Sequence, residues 1–337
     1  MKKLFQVFIG VCLASTLLFF LFPEHGAKQP AQFTGLAMGI PYKVLIGNAP
    51  HLHARGAIEK MIAETFAEID QTYNKWNPFS EVSELNRLGQ REKKQLSGAL
   101  HRFLIRMDHL VALSEGRFDP TVENAQRFWK TKFEQGTVPS KEEIAALKRA
   151  VGWKKIHFDQ EFFYKDDADI QLDFGGVAKG TAVDLLYEKF LEAGLTNFFI
   201  EWGGEVRVLG YHPEKRPWNV YISRFEDSQP DQAIALLSLS HGAVATSGNY
   251  FQYWTVIDPA GIPMTYTHIF NPCTCEPIQV HSDVIASGSL WMEDCETADA
   301  LAKVLLTFDS IAEAEEWLKK VAEVYPNISY WIAKRGT

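Results

Sequence analysis

Gln171-Leu-Asp-Phe-Gly-Gly-Val-Ala-Lys-Gly-Thr-Ala-Val-Asp184 joins an acidic strand end to a glycine turn, a lysine and the start of an amphipathic helix. Glycine lets the backbone take up φ > 0 and approach a ligand closely, and the helix that follows offers unpaired N–H groups and a positive dipole end to an anion. Lys179 adds a point charge at that place. The segment therefore reads as a phosphate-handling loop. It has neither the Gly-x-x-x-x-Gly-Lys-[Ser/Thr] spacing of P-loop nucleotidases nor the Gly-x-Gly-x-x-Gly of dinucleotide-binding units, so neither nucleotide reading carries over. Taken alone, the loop is equally well an ordinary strand-turn-helix with a surface lysine.

Outward from the loop, the hydrophobic pattern is mixed. Ile58, Met61, Ile62, Thr65, Phe66 and Ile69 recur at helical spacing, as do Leu100, Phe103, Leu104, Met107 and Val111. Ser140 with Glu143 predicts a capping box opening a helix through Arg149, and Thr181 to Glu192 continues the glycine loop as another helix. Strand-like runs occupy 156–164, 197–202, 206–211, 218–223, 233–239, 253–257 and 328–332. Helices separated by runs of strands predict an α+β fold with mixed, largely antiparallel sheets and packed helices, not a regular βαβ array.

With 337 residues, 46% of them hydrophobic and 23% charged, the chain is globular and large enough for a substantial core. A formal net charge of −8 argues against nucleic acid as a partner, which would call for a basic face. Met1-Lys2-Lys3 precedes an uncharged, mostly apolar run, Leu4 to Phe22, that ends at Pro23-Glu24-His25. That run is longer than a signal-peptide core of ~7–15 residues and just reaches the ~17–25 needed to span a bilayer. The lysines belong on the cytoplasmic side, which delivers the rest of the chain outward. Val11 before Cys12 does not make a lipobox, and no Ala-x-Ala follows. The expected organisation is residues 1–30 as a signal or inner-membrane anchor and 31–337 as one extracytoplasmic domain.

The 171–184 loop resembles the signature of the ApbE family, the FAD:protein FMN transferases, and further blocks of that family follow in order. They are Met38 to Tyr42, Trp76 to Asn86, Gly116 to Thr121, Trp202 to Arg207, Ala243 to Tyr250 and His268 to Pro272, with a last block, Ala298 to Lys303, that departs at its final position. The resemblance implies a flavin cleft in which FAD is cut at its pyrophosphate. FMN is esterified through its phosphate onto a Thr or Ser of an acceptor protein, and AMP leaves. It makes His268 the catalytic base, a role suited to an imidazole with a reference pKa of ~6.5. It carries FAD contacts to Met38, Trp76, Phe118, Asp119, Asp173, Lys179 and Ile269. Trp76 stands where the family commonly has Tyr and keeps an aromatic face for stacking. Gly203-Gly204 and Ser247-Gly248 read as tight turns lining the same cleft.

The resemblance also implies Mg²⁺ bound by Asp299, by a Thr four residues later and by the backbone carbonyl of Gly176. Here the later position is Lys303, whose ammonium has three donors and no acceptor. Three readings stay open: Mg²⁺ held weakly without that ligand, an ammonium supplying part of the cation's charge, or a plain Asp-Lys helix pair. Asn271 replaces a family Asp in the histidine block and removes a further negative charge. Cys273, Cys275 and Cys295 are free thiols, a disulfide from Cys295 to one of the pair, or, with His268, part of a zinc site.

The function that follows from the resemblance is a membrane-anchored FAD:protein FMN transferase. Its acceptors would be flavin-carrying subunits, such as that of a sodium-pumping NADH:quinone reductase, with an Asp-x-x-[Ser/Thr]-Gly-Ala-Thr-like motif that this chain itself lacks. The alternatives are an FAD pyrophosphatase, in which water replaces the hydroxyl, and a non-catalytic flavin-binding protein.

Overall fold

A computed structural model describes residues 29–47, 52–223, 233–250, 252–257 and 260–335. The apolar N-terminal run and Cys12 lie outside the described residues, and among those described no helix is long and apolar enough to cross a membrane. In chain order the strands are β1 (Ala31–Ala37), β2 (Ile40–Ile46), β3 (Lys94–Gln95), β4 (Ile156–Phe158), β5 (Phe162–Lys165), β6 (Phe198–Trp202), β7 (Glu205–Leu209) and β8 (Trp218–Ser223). They continue as β9 (Ala233–Leu239), β10 (His241–Gly248), β11 (Tyr253–Ile257), β12 (Pro263–Asn271), β13 (Glu276–Gln279), β14 (Ile285–Met292) and β15 (Ser329–Lys334).

A seven-stranded antiparallel sheet, in the order β1-β2-β6-β7-β10-β14-β15, forms the centre. Its strands alternate between two cores, as period-two side chains require. Phe198, Ile200, Trp202, Ala243, Ala245, Leu290 and Met292 face the large core shared with the helices Leu52–Thr72, Gly98–Leu113, Ala178–Glu192, Cys295–Leu305 and Ile311–Val324. Phe199, Val206, Val208 and Val244 face the opposite way, onto the β8–β9 hairpin. A third core packs the helix Glu123–Glu134 through Trp129 and Phe133 against the β11-β12-β13 sheet, with the short helix Lys141–Leu147 alongside. The α+β class with antiparallel sheets is thus as the sequence predicts. The one parallel pairing among the described residues is an isolated bridge, Val122 with Gln171.

Two sequence expectations change in detail. The run 156–164 is a hairpin, because Asp159 Oδ1 accepts from the N–H groups of Glu161 and Phe162, both at 2.8 Å, and turns the chain. Ser247-Gly248 is no turn but the end of β10, paired with Gly288 and Ser287 of β14. The missing Cβ at Gly248 makes room for the Tyr250 ring, whose nearest atom would lie 2.3 Å from it. Gly203-Gly204 does turn, with φ of +59° and +98° between paired Trp202 and Glu205.

Helix Ala178–Glu192 and helix Cys295–Leu305 meet backbone to backbone. A Cβ on Gly180 would lie 2.4 Å from the carbonyl oxygen of Cys295 and 2.8 Å from Cα of Glu296. On its other side helix Cys295–Leu305 rests on small residues of the sheet, and a Cβ on Gly288 would stand 2.9 Å from Leu305. The helix is therefore wedged between the glycine-loop helix and β10–β14. Gly180→Ala should destabilise the protein by about 2–3 kcal/mol, because backbone atoms must move to admit the methyl. Urea unfolding reads this directly, and a loss below about 0.5 kcal/mol would contradict the close approach.

Candidate active site

The glycine loop is held from outside before it holds anything else. Asn86, at the end of the Trp76 to Asn86 block, brackets Leu172: its Nδ2 donates to the Leu172 carbonyl at 2.9 Å, and its Oδ1 accepts the Leu172 N–H at 2.6 Å. Lys165, buried on β5, donates to the carbonyls of Asn86, Ala168 and Ile170 and so closes the acidic bend before the loop. Burial depresses its pKa to about 8. Asp173 accepts from Gly175 N–H at 2.8 Å and pairs with Lys75 Nζ at 3.0 Å, and Lys75 also pairs with Glu123. The same ammonium lies 5.0 Å from the centre of the Trp76 ring, so Trp76 and Asp173 belong to one cluster. Trp76 is 77% exposed and Phe79 is 87% exposed, so both rings are offered to solvent.

Beneath the loop lie two buried carboxylates and two half-buried lysines. Asp299 is fully buried, and its Oδ2 accepts the N–H of Gly180 at 3.0 Å. Its Oδ1 accepts from Lys303 Nζ at 2.5 Å and has Lys179 Nζ at 3.8 Å. Lys179 also forms an ion pair with Glu205, whose second oxygen, Oε2, finds no hydrogen bond. Burial pushes the Glu205 carboxyl up to about 7, against the pull of Lys179. Burial would raise Asp299 as well, but Lys179 and Lys303 outweigh it and hold Asp299 below the usual carboxylate range. Burial acts to lower the Lys179 pKa, and Asp299 and Glu205 overcome it, so the net shift is upward.

This differs from the helix terminus expected from sequence. The anion accepted by the first turn of helix Ala178–Glu192 is the protein's own Asp299, while the N–H of Ala178 bonds to the Phe174 carbonyl at 2.8 Å. The loop's cationic capacity lies in lysine side chains. Glu205 went unassigned in the sequence reading, although a charge directly after Gly203-Gly204 at a strand start was the available signal.

His268 sits on β12, where pairing with β13 shifts register between Tyr266 and Phe270. Tyr266 and Phe270 are anchored in the third core while Ile269 packs into the large one, so the irregularity turns the backbone between two cores at the histidine. His268 Nδ1 lies 3.3 Å from the Gln252 carbonyl. A carbonyl only accepts, so Nδ1 carries the hydrogen and Nε2 is left as the acceptor. Burial lowers the His268 pKa, and Lys303 adds to the effect, so the imidazole is neutral at physiological pH and within the field of the lysine cluster.

The other expected site residues are placed as follows. Phe118 is buried, with its ring edge 3.4 Å from where a Gly176 Cβ would stand, beside the stem of Lys303. Asp119 is buried and fully engaged: Oδ1 accepts from the N–H and hydroxyl of Thr121, and Oδ2 from Trp153 N–H. These bonds shape the segment next to Phe118. Met38, at φ +49° in the β1–β2 turn, lines a groove of about 700 Å³ with Leu36, Tyr42, Phe66 and Asp70. None of the other expected contacts lines that groove, and it is not taken as the reaction site. Cys273, Cys275 and Cys295 are free thiols, and no cluster of three or more His, Cys, Asp or Glu suited to a metal occurs among the described residues.

Nor do the donors at Asp299 suit Mg²⁺. The cation would need Asp299 Oδ1 at ~2.1 Å, and that oxygen already carries one ammonium, with a second nearby. Lys303 cannot ligate, and its stem runs past Gly176 to Asp299, its Cδ 3.3 Å from a Cβ built on Gly176.

An antiparallel α+β scaffold that carries a tautomer-fixed histidine and a lysine-bearing glycine loop holds groups suited to phosphate transfer. The chain belongs to the ApbE family, which it matches over residues 38–326. It is 38% identical over 317 residues to the FAD:protein FMN transferase of Chlamydia trachomatis, covering 93% of this chain and 96% of that protein. The FAD:protein FMN transferase of Vibrio cholerae is 27% identical over 91% of this chain and 90% of its own. Among solved structures, the ApbE protein from Thermotoga maritima superposes with a TM-score of 0.74 at 27% identity, covering 91% of this chain and 95% of that one. The flavin transferase ApbE from Vibrio cholerae also gives 0.74, at 23% identity over 91% and 97% of the two chains.

Asp184, the last residue of the motif, fixes the helix that carries Asp299. It accepts the N–H groups of Cys295 and Glu296 at 2.9 and 2.7 Å and pairs with Arg207 at 2.8 Å, while burial pushes its carboxyl up to about 7. Asp184→Ala leaves Arg207 and two helix-terminal N–H groups without their partner and should cost about 3–5 kcal/mol. A chemical denaturation midpoint unchanged from wild type would remove Asp184 from this role.

Proposed function

We propose that this protein is an FAD:protein FMN transferase, and the observation that carries the reading is His268, with Nδ1 held by Gln252, Nε2 left as acceptor and Lys303 acting on it to lower its pKa. Nε2 takes the proton of an acceptor Thr or Ser hydroxyl as that oxygen attacks the phosphorus of the FMN half. The bond from that phosphorus to the bridging oxygen breaks, and AMP leaves with the bridging oxygen. Lys179 and Lys303 bring positive charge to the oxygens where negative charge accumulates. Trp76 and Phe79 offer ring faces to the flavin, and Asp173, kept in place by Lys75 and Gly175, offers a carboxylate to its hydroxyls.

The partners in this reading are FAD and an acceptor protein bearing a Thr or Ser flavinylation motif. The domain would work outside the cytoplasmic membrane, a placement that rests on Met1-Lys2-Lys3 and the apolar run after it. A topology reporter at the C-terminus tests that side, and an active cytoplasmic reporter would refute it.

Co-expression with an acceptor subunit should put covalent flavin fluorescence on the acceptor band in a denaturing gel. AMP formed without a labelled acceptor would instead make the protein a pyrophosphatase. His268→Ala should reduce transfer by a factor of about 10²–10⁴ with FAD binding retained. Activity within a few-fold of wild type would remove His268 from the mechanism. A base must be neutral, so transfer falls as pH drops through the His268 pKa. Since that pKa is lowered, the acidic limb of kcat/KM should lie below the reference of ~6.5, and a limb above 7 would contradict the assignment.

A further inference from the structure

The four side chains are layered. The Asp299 and Glu205 side chains are 0% and 1% exposed, whereas those of Lys303 and Lys179 are 26% and 22% exposed. The carboxylates thus form a floor, and the ammonium groups lie between that floor and the open side. From the exposed side a phosphate meets the lysine side chains before either carboxylate. Lys303 reaches this position because Gly176 has no side chain: its Cδ and Cε lie 3.3 and 3.6 Å from where a Cβ would be, and Phe118 closes the other side at 3.4 Å. The lysine stem fills that channel, and its head group rests on Asp299 Oδ1 at 2.5 Å. It occupies the Asp299 oxygen that a divalent cation at this carboxylate would need. Two like charges cannot share that oxygen without a large penalty.

We propose that Lys303 is a built-in counter-ion: together with Lys179 it binds the FAD pyrophosphate directly over the Asp299-Glu205 floor, and no divalent cation takes part at Asp299. The floor orients both ammonium groups and keeps them charged, and each lysine retains N–H donors for phosphate oxygens. The proposal deepens the transferase reading and rests on it for the identity of the ligand.

FAD binding, followed by quenching of tryptophan fluorescence, tests the proposal without passing through transfer. Wild-type affinity should agree within about twofold in EDTA and in excess Mg²⁺. Lys303→Met keeps the apolar stem against Gly176 and removes the charge. It should weaken FAD binding by about tenfold to a hundredfold, the worth of one or more charge-assisted hydrogen bonds, whether or not Mg²⁺ is present. Lys303→Thr should bind weakly in EDTA and recover when Mg²⁺ is added. Thermal melts of both variants establish that they are folded. Mn²⁺ added to the ligand-free wild type should keep the electron paramagnetic resonance spectrum of the free ion.

The proposal is overturned by wild-type FAD affinity at least about tenfold weaker in EDTA, by Mn²⁺ uptake that Asp299→Asn abolishes, or by Lys303→Met binding FAD like wild type. FAD binding that requires Mg²⁺ overturns this proposal alone. Absence of FAD binding in both media overturns the flavin reading as well.

Discussion

Gly180 lies so close to the Cys295 carbonyl that no side chain fits between them, and at that contact its N–H donates to Asp299. The two helices that carry the site, Ala178–Glu192 and Cys295–Leu305, are thereby fixed to each other through backbone. Asp184 strengthens the joint from one turn further along by accepting the first N–H groups of the partner helix. Lys179 and Asp299 then have no freedom to separate. Their charges can be buried together only because the backbone geometry is already set, which offsets part of the desolvation cost that ion pairs in a protein interior incur.

The central sheet serves that joint. β10 and β14 are rich in Gly, Ala and Ser, which lets helix Cys295–Leu305 lie directly on them. The β6–β7 turn brings Glu205 under Lys179, and a Cβ on Gly203 would touch both Ile40 and the Lys179 stem. The smaller β11-β12-β13 sheet supplies the histidine from the other side, its backbone caught between two cores at the register shift. Lys179 and Lys303 on the one hand and His268 on the other therefore come from separate layers, and the charge of Lys303 adds to burial in lowering the His268 pKa.

Much of this was legible in the chain. Strands with alternating large apolar residues, such as β8 and β11, match the predicted runs residue for residue, and the Ser140–Glu143 capping box forms as read. β10 and β14 escaped because their small residues carry no hydrophobic alternation; their burial is set by the helix above them. Of the residues that the motif blocks single out, Asp299, Lys179 and Lys303 come together in the structure. Sequence could not show that Asp299 would occupy the helix N-terminus meant for an anion, since that depends on a contact between residues 119 positions apart. It also left out Lys75, whose bond to Asp173 ties the Trp76 segment to the glycine loop, and the bonds from Thr121 and Trp153 that hold the Asp119 carboxylate.

What meets the phosphates above Asp299 is decided by a crystal structure of the FAD complex grown with Mn²⁺, with anomalous data collected. Lys303 Nζ is expected within hydrogen-bond distance of a pyrophosphate oxygen, still paired with Asp299, with no anomalous peak at that carboxylate. A manganese peak bound by Asp299 and the Gly176 carbonyl, with the Lys303 side chain turned away, would contradict it.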